Sequence, residues 1–451
     1  MRKQDFFGIK KLYFVGIGGI SMSALSLFCE RFGANITGSD IVDGDEVEKL
    51  NKRGINVAIG HSRDNIKDDV NLVVYSGAIS STNPELQFAK EKNIPCYERS
   101  EFLGELAKMY NNSIVVAGTH GKTTTTAMIG EVFLRSGLYP SIHLGGESIA
   151  FGNYVIGKDN YFITEGCEYR NSIKYLHPNT SIITAIELDH TDCYSSYDEI
   201  ENSFLNLANN TSDTVIVFEN IDFSNKINNK ARIVNVGFGE QYEISGRNLT
   251  RLPNGCYSFD VYYNGYVGKF QSNAVGIHNA KNTLCALALS LIYEIDLGTI
   301  YYALKTFSGV KRRFENVGSI KGCPIICDYA HHPTEIINSI TTARQIYKDV
   351  LVVFQPHTYS RTIGLKEEFK SSFLGANEIA IFKTYPAREK YIPGGSAREL
   401  FNVIKNKNKH YLDNKKALKN YLLTLKLKGC VLVLGAGDIY YHIKQIVKSI
   451  K

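Results

Sequence analysis

Short apolar runs that end in glycine or a polar residue recur along the chain and alternate with longer stretches of helical period. A run of this kind reads as a strand buried on both faces, and its alternation with helices predicts an α/β fold on largely parallel sheets. The first stretch sets the pattern. LYFVGIGGI is a strand running into glycines, SMSALSLFCERF an amphipathic helix, and NITGSD a second strand ending at Asp40. NLVVYSGAI follows, with Ser76 at its end, and a polar break at Tyr110-Asn111-Asn112 closes the stretch. The second stretch alternates again, and its strands YFITEG and SIITAIELDH carry charge only at their carboxyl ends. CYSFDVYYNGYVGKF has period two around Asn264-Gly265, which predicts an antiparallel hairpin at the edge of the central sheet. GVKRRFENVG then joins a third stretch, where PIICDYA, VLVVFQP, EIAIFK and VLVLGAG are each followed by a helix. Three α/β segments are expected, and the first, with its strand, glycines, helix and second strand, reads as half of a doubly wound nucleotide fold.

The candidate chemistry centres on VVAGTHGKTTTTAMIG, residues 115–130. A strand breaks at Gly118, reaches Gly121-Lys122-Thr123 and passes at once into a helix. Such a loop aims backbone N–H groups and a helix dipole at phosphate oxygens, and the lysine adds a mobile positive charge. Thr123 supplies the hydroxyl that these loops offer to Mg²⁺. Val116 stands where the usual Walker A spacing needs glycine, so the loop is the shorter Gly-Thr-His-Gly-Lys-Thr form. A nucleoside triphosphate is the expected ligand. Glu165 and His190 close neighbouring strands, and ligands bind beyond the carboxyl ends of parallel strands, so both are expected beside the loop as metal ligands.

Other signals are weaker. The glycines of GIGGIS have Ser21 where a dinucleotide fingerprint needs a third glycine, although Asp40 follows ~20 positions on, as ribose sites require. His278, Asn279 and Asn282 open an apolar helix and are read equally as adenine contacts or as capping residues. Arg312 and Arg313 reach a phosphate or form surface ion pairs. His331, His332, His357 and Arg361 cluster at strand ends without the carboxylates of a metal cage, which favours substrate contacts.

Apolar residues are 44% and charged residues 21% of the chain, enough core for several soluble domains. A net charge of +6, thinly spread, does not imply nucleic acid. The nine cysteines include no CxxC pair and are expected to be reduced. MRKQDFFGIKK is too short and charged for a signal peptide, and no run has the ~20 apolar residues of a membrane span, so a cytoplasmic protein is expected.

The order GIGGISMSAL, GSD, GTHGKTTTTAM, ELDH, GIHNAKN, GVKRRFE, DYAHHPTE, FQPHTYSRT and GAGDI resembles that of the Mur ligases from about residue 11 to 440. HHPTE and the arginine after QPH are most like the branch that joins L-alanine to UDP-N-acetylmuramate. The resemblance implies three α/β domains, at residues 1–110, 111–312 and 313–451, the outer two Rossmann-like and the middle one a P-loop ATPase fold. It also implies an ATP-dependent carbon–nitrogen ligase of peptidoglycan precursor synthesis, acting on small molecules through an acyl phosphate. It implies that Gly118, Thr119, His120, Gly121, Lys122, Thr123 and Thr124 bind ATP, with His278 and Asn282 at adenine and Asp328 at ribose. Thr123, Glu165 and His190 would hold Mg²⁺, and Arg313 would reach the γ-phosphate. His332 and Arg361 would orient the amino acid's carboxylate. Gly18, Gly19, Ile20 and Ser21 would hold the pyrophosphate of the sugar nucleotide, with Asp40, His61 and Ser76 nearby.

The chain departs from the family pattern at three places. An EADES stretch is replaced by Glu165-Gly166-Cys167-Glu168-Tyr169, a second arginine by Thr358, and an aspartate by Cys327. Two other functions fit the same motifs: a related ligase that attaches a preformed peptide, and a non-catalytic sensor of UDP-sugar and ATP. Amino-donor profiling separates the first. Retention of Lys122, Glu165, His190 and Arg313 argues against the second.

Overall fold

The structure is a computed structural model and describes residues 10–188, 193–223, 225–387, 389–425 and 428–450. The first stretch supplies β1 (Lys11–Val15), β2 (Asn35–Asp40), β3 (Asn56–Ile59), β4 (Leu72–Tyr75) and β5 (Cys96–Glu98). They pair in parallel in the order β3-β2-β1-β4-β5, so the order reverses beside β1. Helix α1 (Ile20–Arg31) follows β1 directly and α2 (Arg99–Ala107) follows β5. The expected amphipathic stripe on α1 is absent: every residue from Met22 to Cys29 is buried. The reason is a second neighbour. Phe28 meets Phe162 at 5.7 Å and Tyr154 at 6.4 Å, so the central sheet covers the side that solvent would otherwise wet.

The central strands are β6 (Asn112–Ala117), β7 (Ser141–Ser148), β8 (Gly152–Val155), β9 (Tyr161–Gly166), β10 (Thr180–Ile183), β11 (Thr214–Phe218), β12 (Arg232–Phe238), β13 (Ile244–Arg251), β14 (Tyr257–Tyr262) and β15 (Tyr266–Gln271). Their sheet is mixed, in the order β15-β14-β13-β12-β11-β10-β6-β9-β7-β8. The hairpin of β14 and β15 turns through Asn264 and Gly265, at φ 54° and 126°. Those left-handed values explain why Asn-Gly stands there. Helix α3 (Lys122–Arg135) leaves β6 through the glycine loop, and α4 (Ile277–Ile292) follows the hairpin.

The third stretch forms β16 (Glu315–Ile320), β17 (Cys323–Asp328), β18 (Val350–Phe354), β19 (Glu378–Phe382), β20 (Lys409–Leu412) and β21 (Cys430–Leu434), with α5 (Pro333–Ile346) and α6 (Tyr359–Gly364). The order is β16-β17-β21-β18-β19-β20, and only β16 is antiparallel. Two apolar clusters, one around Phe354 and one around Leu351, cover its faces. Strand β16 begins inside the segment read as a linker. It is a partly exposed edge strand, so it offers no apolar run to read.

The chain divides into two compact units: Met1–Glu187, Ser196–Ser245 and Leu284–Ala303; and Leu188–Ser195, Gly246–Thr283 and Leu304–Lys451. All nine cysteines are free. Among the described residues no helix is long and apolar enough to cross a membrane.

Candidate active site

In the first unit, β6 ends at Ala117 and the loop 118–121 turns the chain into α3. Gly118 and Gly121 have φ of 134° and 85°, conformations that side chains rarely adopt. A Cβ on Gly118 would also lie 2.2 Å from Thr184 Oγ1, so the strand end admits only glycine. The loop is braced from β10. Thr184 Oγ1 lies 2.5 Å from the carbonyl of His120, the Thr119 N–H donates to the Ala185 carbonyl, and Glu187 N–H donates to Thr119 Oγ1. His120 Nε2 stands 3.3 Å from Glu187 Oε2.

Lys122 opens α3 and folds back over its own loop. Its Nζ donates to the Gly118 carbonyl at 2.5 Å and to Glu168 at 2.8 Å. Burial pushes the ammonium pKa down, Glu168 pushes it up, and the net shift is upward, so the lysine is charged. Glu168 is the partner that sequence reading did not assign a role. Next along the helix, Thr123 Oγ1 donates to Glu165 Oε2 at 2.8 Å, and Gly145 N–H donates to Oε1 at 2.7 Å. Strand register explains the meeting, because Val116 of β6 pairs with Glu165 of β9. Thr124 is buried behind them.

A hydroxyl and a carboxylate in contact beside a lysine fit a hard divalent cation, which takes oxygen ligands. His190, the third expected ligand, lies outside the described residues. Among those described, no three His, Cys, Asp or Glu side chains gather as a metal cluster.

The first glycine loop has a different construction. Asp40, at the end of β2, accepts Gly18 N–H at 2.8 Å and Val42 N–H at 3.0 Å. A Cβ on Gly18 would sit 2.9 Å from that carboxylate. Ser76 ends β4 with its Cβ beside Gly16, at the point where strand order reverses. His61, after β3, places Nδ1 2.8 Å from the buried Glu85 and 3.0 Å from Ser39 Oγ. Gly19 precedes α1 as its N-cap, and Ile20 and Ser21 are the helix's first residues. Ser21 Oγ lies 2.9 Å from His143 Nε2, while His143 Nδ1 meets Thr164 Oγ1 at 2.9 Å. Burial, and after it the charge of Arg99, pushes the His143 pKa down to about 3, so the ring is neutral.

In the second unit, each Asp328 oxygen accepts a backbone N–H, from Phe314 and Ala330 at 2.9 Å. Burial pushes the Asp328 carboxyl pKa up, and Arg313 opposes the shift. The two arginines overlap in part. Both guanidiniums lie over the Tyr329 ring, 4.6 and 5.2 Å from its centre, and Arg312 also donates to the carbonyls of Gly435 and Gly437 at 3.0 and 2.9 Å. His332 is the N-cap of α5, its Nδ1 accepting Thr334 N–H, with Glu335 completing a capping box. Arg361 donates to His357 Nδ1 at 3.2 Å. Burial leads, with His331 and Arg361, in pushing the His357 pKa down to about 3, so the ring is neutral and can accept at Nδ1 in one tautomer. Asn279 donates to the Val275 carbonyl and accepts from the Asn282 amide, so this polar entrance acts at least in part as capping. His278 sits beside Asn279 in the same turn.

The chain resembles known proteins along its length. Three family models match in succession: "Mur ligase family, catalytic domain" over 11–111, "Mur ligase middle domain" over 116–290, and "Mur ligase, glutamate ligase domain" over 312–437. The UDP-N-acetylmuramate–L-alanine ligase of Clostridium beijerinckii is 39% identical, covering 98% of each chain. That of Agathobacter rectalis is 38% identical over 100% of each. The crystal structure of the UDP-N-acetylmuramate–alanine ligase of Thermotoga maritima superposes with TM-score 0.82 at 28% identity, covering 97% of this chain and 98% of that one. A murein peptide ligase of Psychrobacter arcticus has TM-score 0.72 at 20% identity over 98% of each chain, a likeness of fold. With identity sustained over nearly all of both sequences, the chain belongs to the Mur ligase family.

Proposed function

We propose that this protein joins L-alanine to the lactyl carboxylate of UDP-N-acetylmuramate, using ATP and Mg²⁺, in peptidoglycan precursor synthesis. The observation that carries the reading is the contact of Thr123 with Glu165 beside Lys122 in a chain 39% identical, end to end, to an L-alanine ligase. The peptide-ligase reading rests on a neighbour at 20% identity and is not favoured.

A carboxylate repels an amine's electron pair and has no good leaving group. Transfer of the γ-phosphoryl group from ATP to its oxygen forms an acyl phosphate and ADP. The amine then attacks the carbonyl carbon, and inorganic phosphate leaves with the bonding electrons. Lys122 and the N–H groups of 118–124 hold the β- and γ-phosphates and neutralise charge as it shifts. Thr123 and Glu165, with His190, would hold Mg²⁺, whose charge would offset that of the phosphate oxygens. Arg313 reaches the γ-phosphate, while Arg312 holds the backbone of 435–437. His278 and Asn282 meet adenine, Asp328 the ribose, and His332 and Arg361 the amino acid's carboxylate. Gly18, Gly19, Ile20, Ser21, Asp40, His61 and Ser76 surround the sugar nucleotide. The three domains, 1–110, 111–312 and 313–451, divide these tasks between UDP-sugar, ATP and amino acid.

The reading is tested by mixing the protein with UDP-N-acetylmuramate, ATP, Mg²⁺ and single amino donors. L-alanine should give the amide with ADP and phosphate. Product with a tripeptide but not with L-alanine, or binding without turnover, contradicts it.

A further inference from the structure

Arg99 has a placement that packing does not account for. It is the first residue of α2, and Glu98 is that helix's N-cap, accepting Ser100 N–H at 2.9 Å. A helix N-terminus carries partial positive charge and favours anions, so an arginine there is unfavourable unless something negative joins it. Glu98 meets that helix end as its N-cap, but its carboxylate does not pair with the guanidinium. Among the described residues the one hydrogen bond of the guanidinium is to Ser21 Oγ, at a long 3.4 Å, and no carboxylate is within ion-pair distance. Several other arginines of the same unit are ion-paired, among them Arg31 with Asp159 at 3.0 Å and Arg63 with Glu91 at 2.5 Å.

The surroundings show where an anion would lie. Arg99, Ser100 and Leu103 line a small cavity together with Glu165, Cys167 and Ser172. One wall therefore belongs to α2, and the other carries the carboxylate that meets Thr123 of the phosphate loop. Glu165 is already engaged by Thr123 and Gly145, so it does not serve as the counter-charge for Arg99. On its far side Arg99 touches Ser21, at the start of α1 beside the first glycine loop. The guanidinium thus stands between the loop expected to hold the sugar nucleotide and the loop expected to hold ATP.

We propose that Arg99 binds the lactyl carboxylate of the sugar nucleotide and holds it facing the γ-phosphate site, an assignment that rests on the ligase reading above. The chemistry requires such a group. Two anions a few ångströms apart repel, and the phosphate loop's lysine is already paired with Glu168. A planar guanidinium also grips both oxygens of a carboxylate, leaving the outward lone pair of one oxygen directed at phosphorus.

The test uses two probes that differ in the lactyl group: UDP-N-acetylmuramate, and UDP-N-acetylglucosamine, which lacks it. Calorimetric titration of the full chain should show Arg99→Gln binding the first ~10-fold or more weaker, with the second unchanged, and Arg99→Lys intermediate. In steady-state assays the Michaelis constant for UDP-N-acetylmuramate should rise and that for ATP stay as in the unsubstituted protein. Equal weakening toward both probes would assign Arg99 to the pyrophosphate and overturn the proposal, as would no weakening toward either. If Arg99→Gln does not fold, the same comparison with Arg99→Lys decides. Failure of the unsubstituted protein to bind UDP-N-acetylmuramate contradicts the ligase reading instead, so the two failures are distinct.

Discussion

Two glycine loops in the first unit share one construction and differ in what they carry. Each follows a buried parallel strand and opens a buried helix: Gly16 to Gly19 between β1 and α1, and Gly118 to Gly121 between β6 and α3. The first has no cation of its own. Its backbone is fixed from outside by Asp40, which takes the Gly18 N–H, so an acidic side chain shapes the loop. The second carries Lys122 as the first residue of its helix, and a glutamate behind the lysine keeps it charged and folded over the loop. In the proposed reading the same backbone serves for holding a ligand in one place and for stabilising moving charge in the other. That difference lies wholly in side chains, and substitutions can test it.

The largest effect is expected from the cation. Lys122→Ala should lower turnover by ~10²-fold or more, because charge developing on the phosphates loses its fixed partner. It also leaves Glu168, 1% exposed, without its cation, so the melting temperature should fall as well. The double variant Lys122→Ala with Glu168→Gln separates the effects: stability should return and turnover should not. If turnover returns, Lys122 acts only through the fold.

Glu165→Gln comes next. It keeps shape and hydrogen bonding but removes a charge from the expected Mg²⁺ site, so the Mg²⁺ concentration for half-maximal rate should rise by ~10-fold or more. An unchanged Mg²⁺ requirement with lower turnover would remove Glu165 from the ligand set. Asp40→Asn, in the other loop, should have a smaller and different effect. The single oxygen of asparagine can serve only one of the Gly18 and Val42 N–H groups, which costs about 1 kcal/mol, so the sugar nucleotide should bind several-fold weaker with kcat little changed. A large fall in kcat would show that the first loop does more than hold.

The smallest effect on turnover at neutral pH is expected at His143, which links Ser21 at the start of α1 to Thr164 of β9, next to Glu165. Its folded pKa of about 3 lies below the ordinary histidine value, so the unfolded chain binds the proton more readily. Stability from this group is complete above pH ~6.5 and is lost as pH falls toward the folded value, at up to about 1.4 kcal/mol per pH unit. Calorimetry should find the melting temperature falling between pH 6.5 and 4.5 more steeply in the unsubstituted protein than in His143→Asn. Parallel curves would show that His143 titrates normally.

What could be read from sequence follows the range of the interactions. The phosphate loop was legible because apolar strand, left-handed glycines and helix start are all local requirements. The hairpin was legible for the same reason at Asn264-Gly265. The pairing of Lys122 with Glu168, and of Ser21 with His143 across 122 positions, leaves no local pattern. Helix α1 was misread as amphipathic because its second neighbour, the central sheet, comes from distant sequence. His332 shows the opposite error. HPTE is a capping box with histidine in place of serine or threonine, and the helix start was there to be read beside the substrate role.

The central claim is that the second loop gathers charge for attack at the γ-phosphorus, with the carboxylate as nucleophile. Heavy oxygen placed in the lactyl carboxylate tests it directly. Mass spectrometry of the phosphorus products should find the label in inorganic phosphate, with ADP as the nucleotide product. Label in AMP, with pyrophosphate released, would mean attack at the α-phosphorus and would contradict the account.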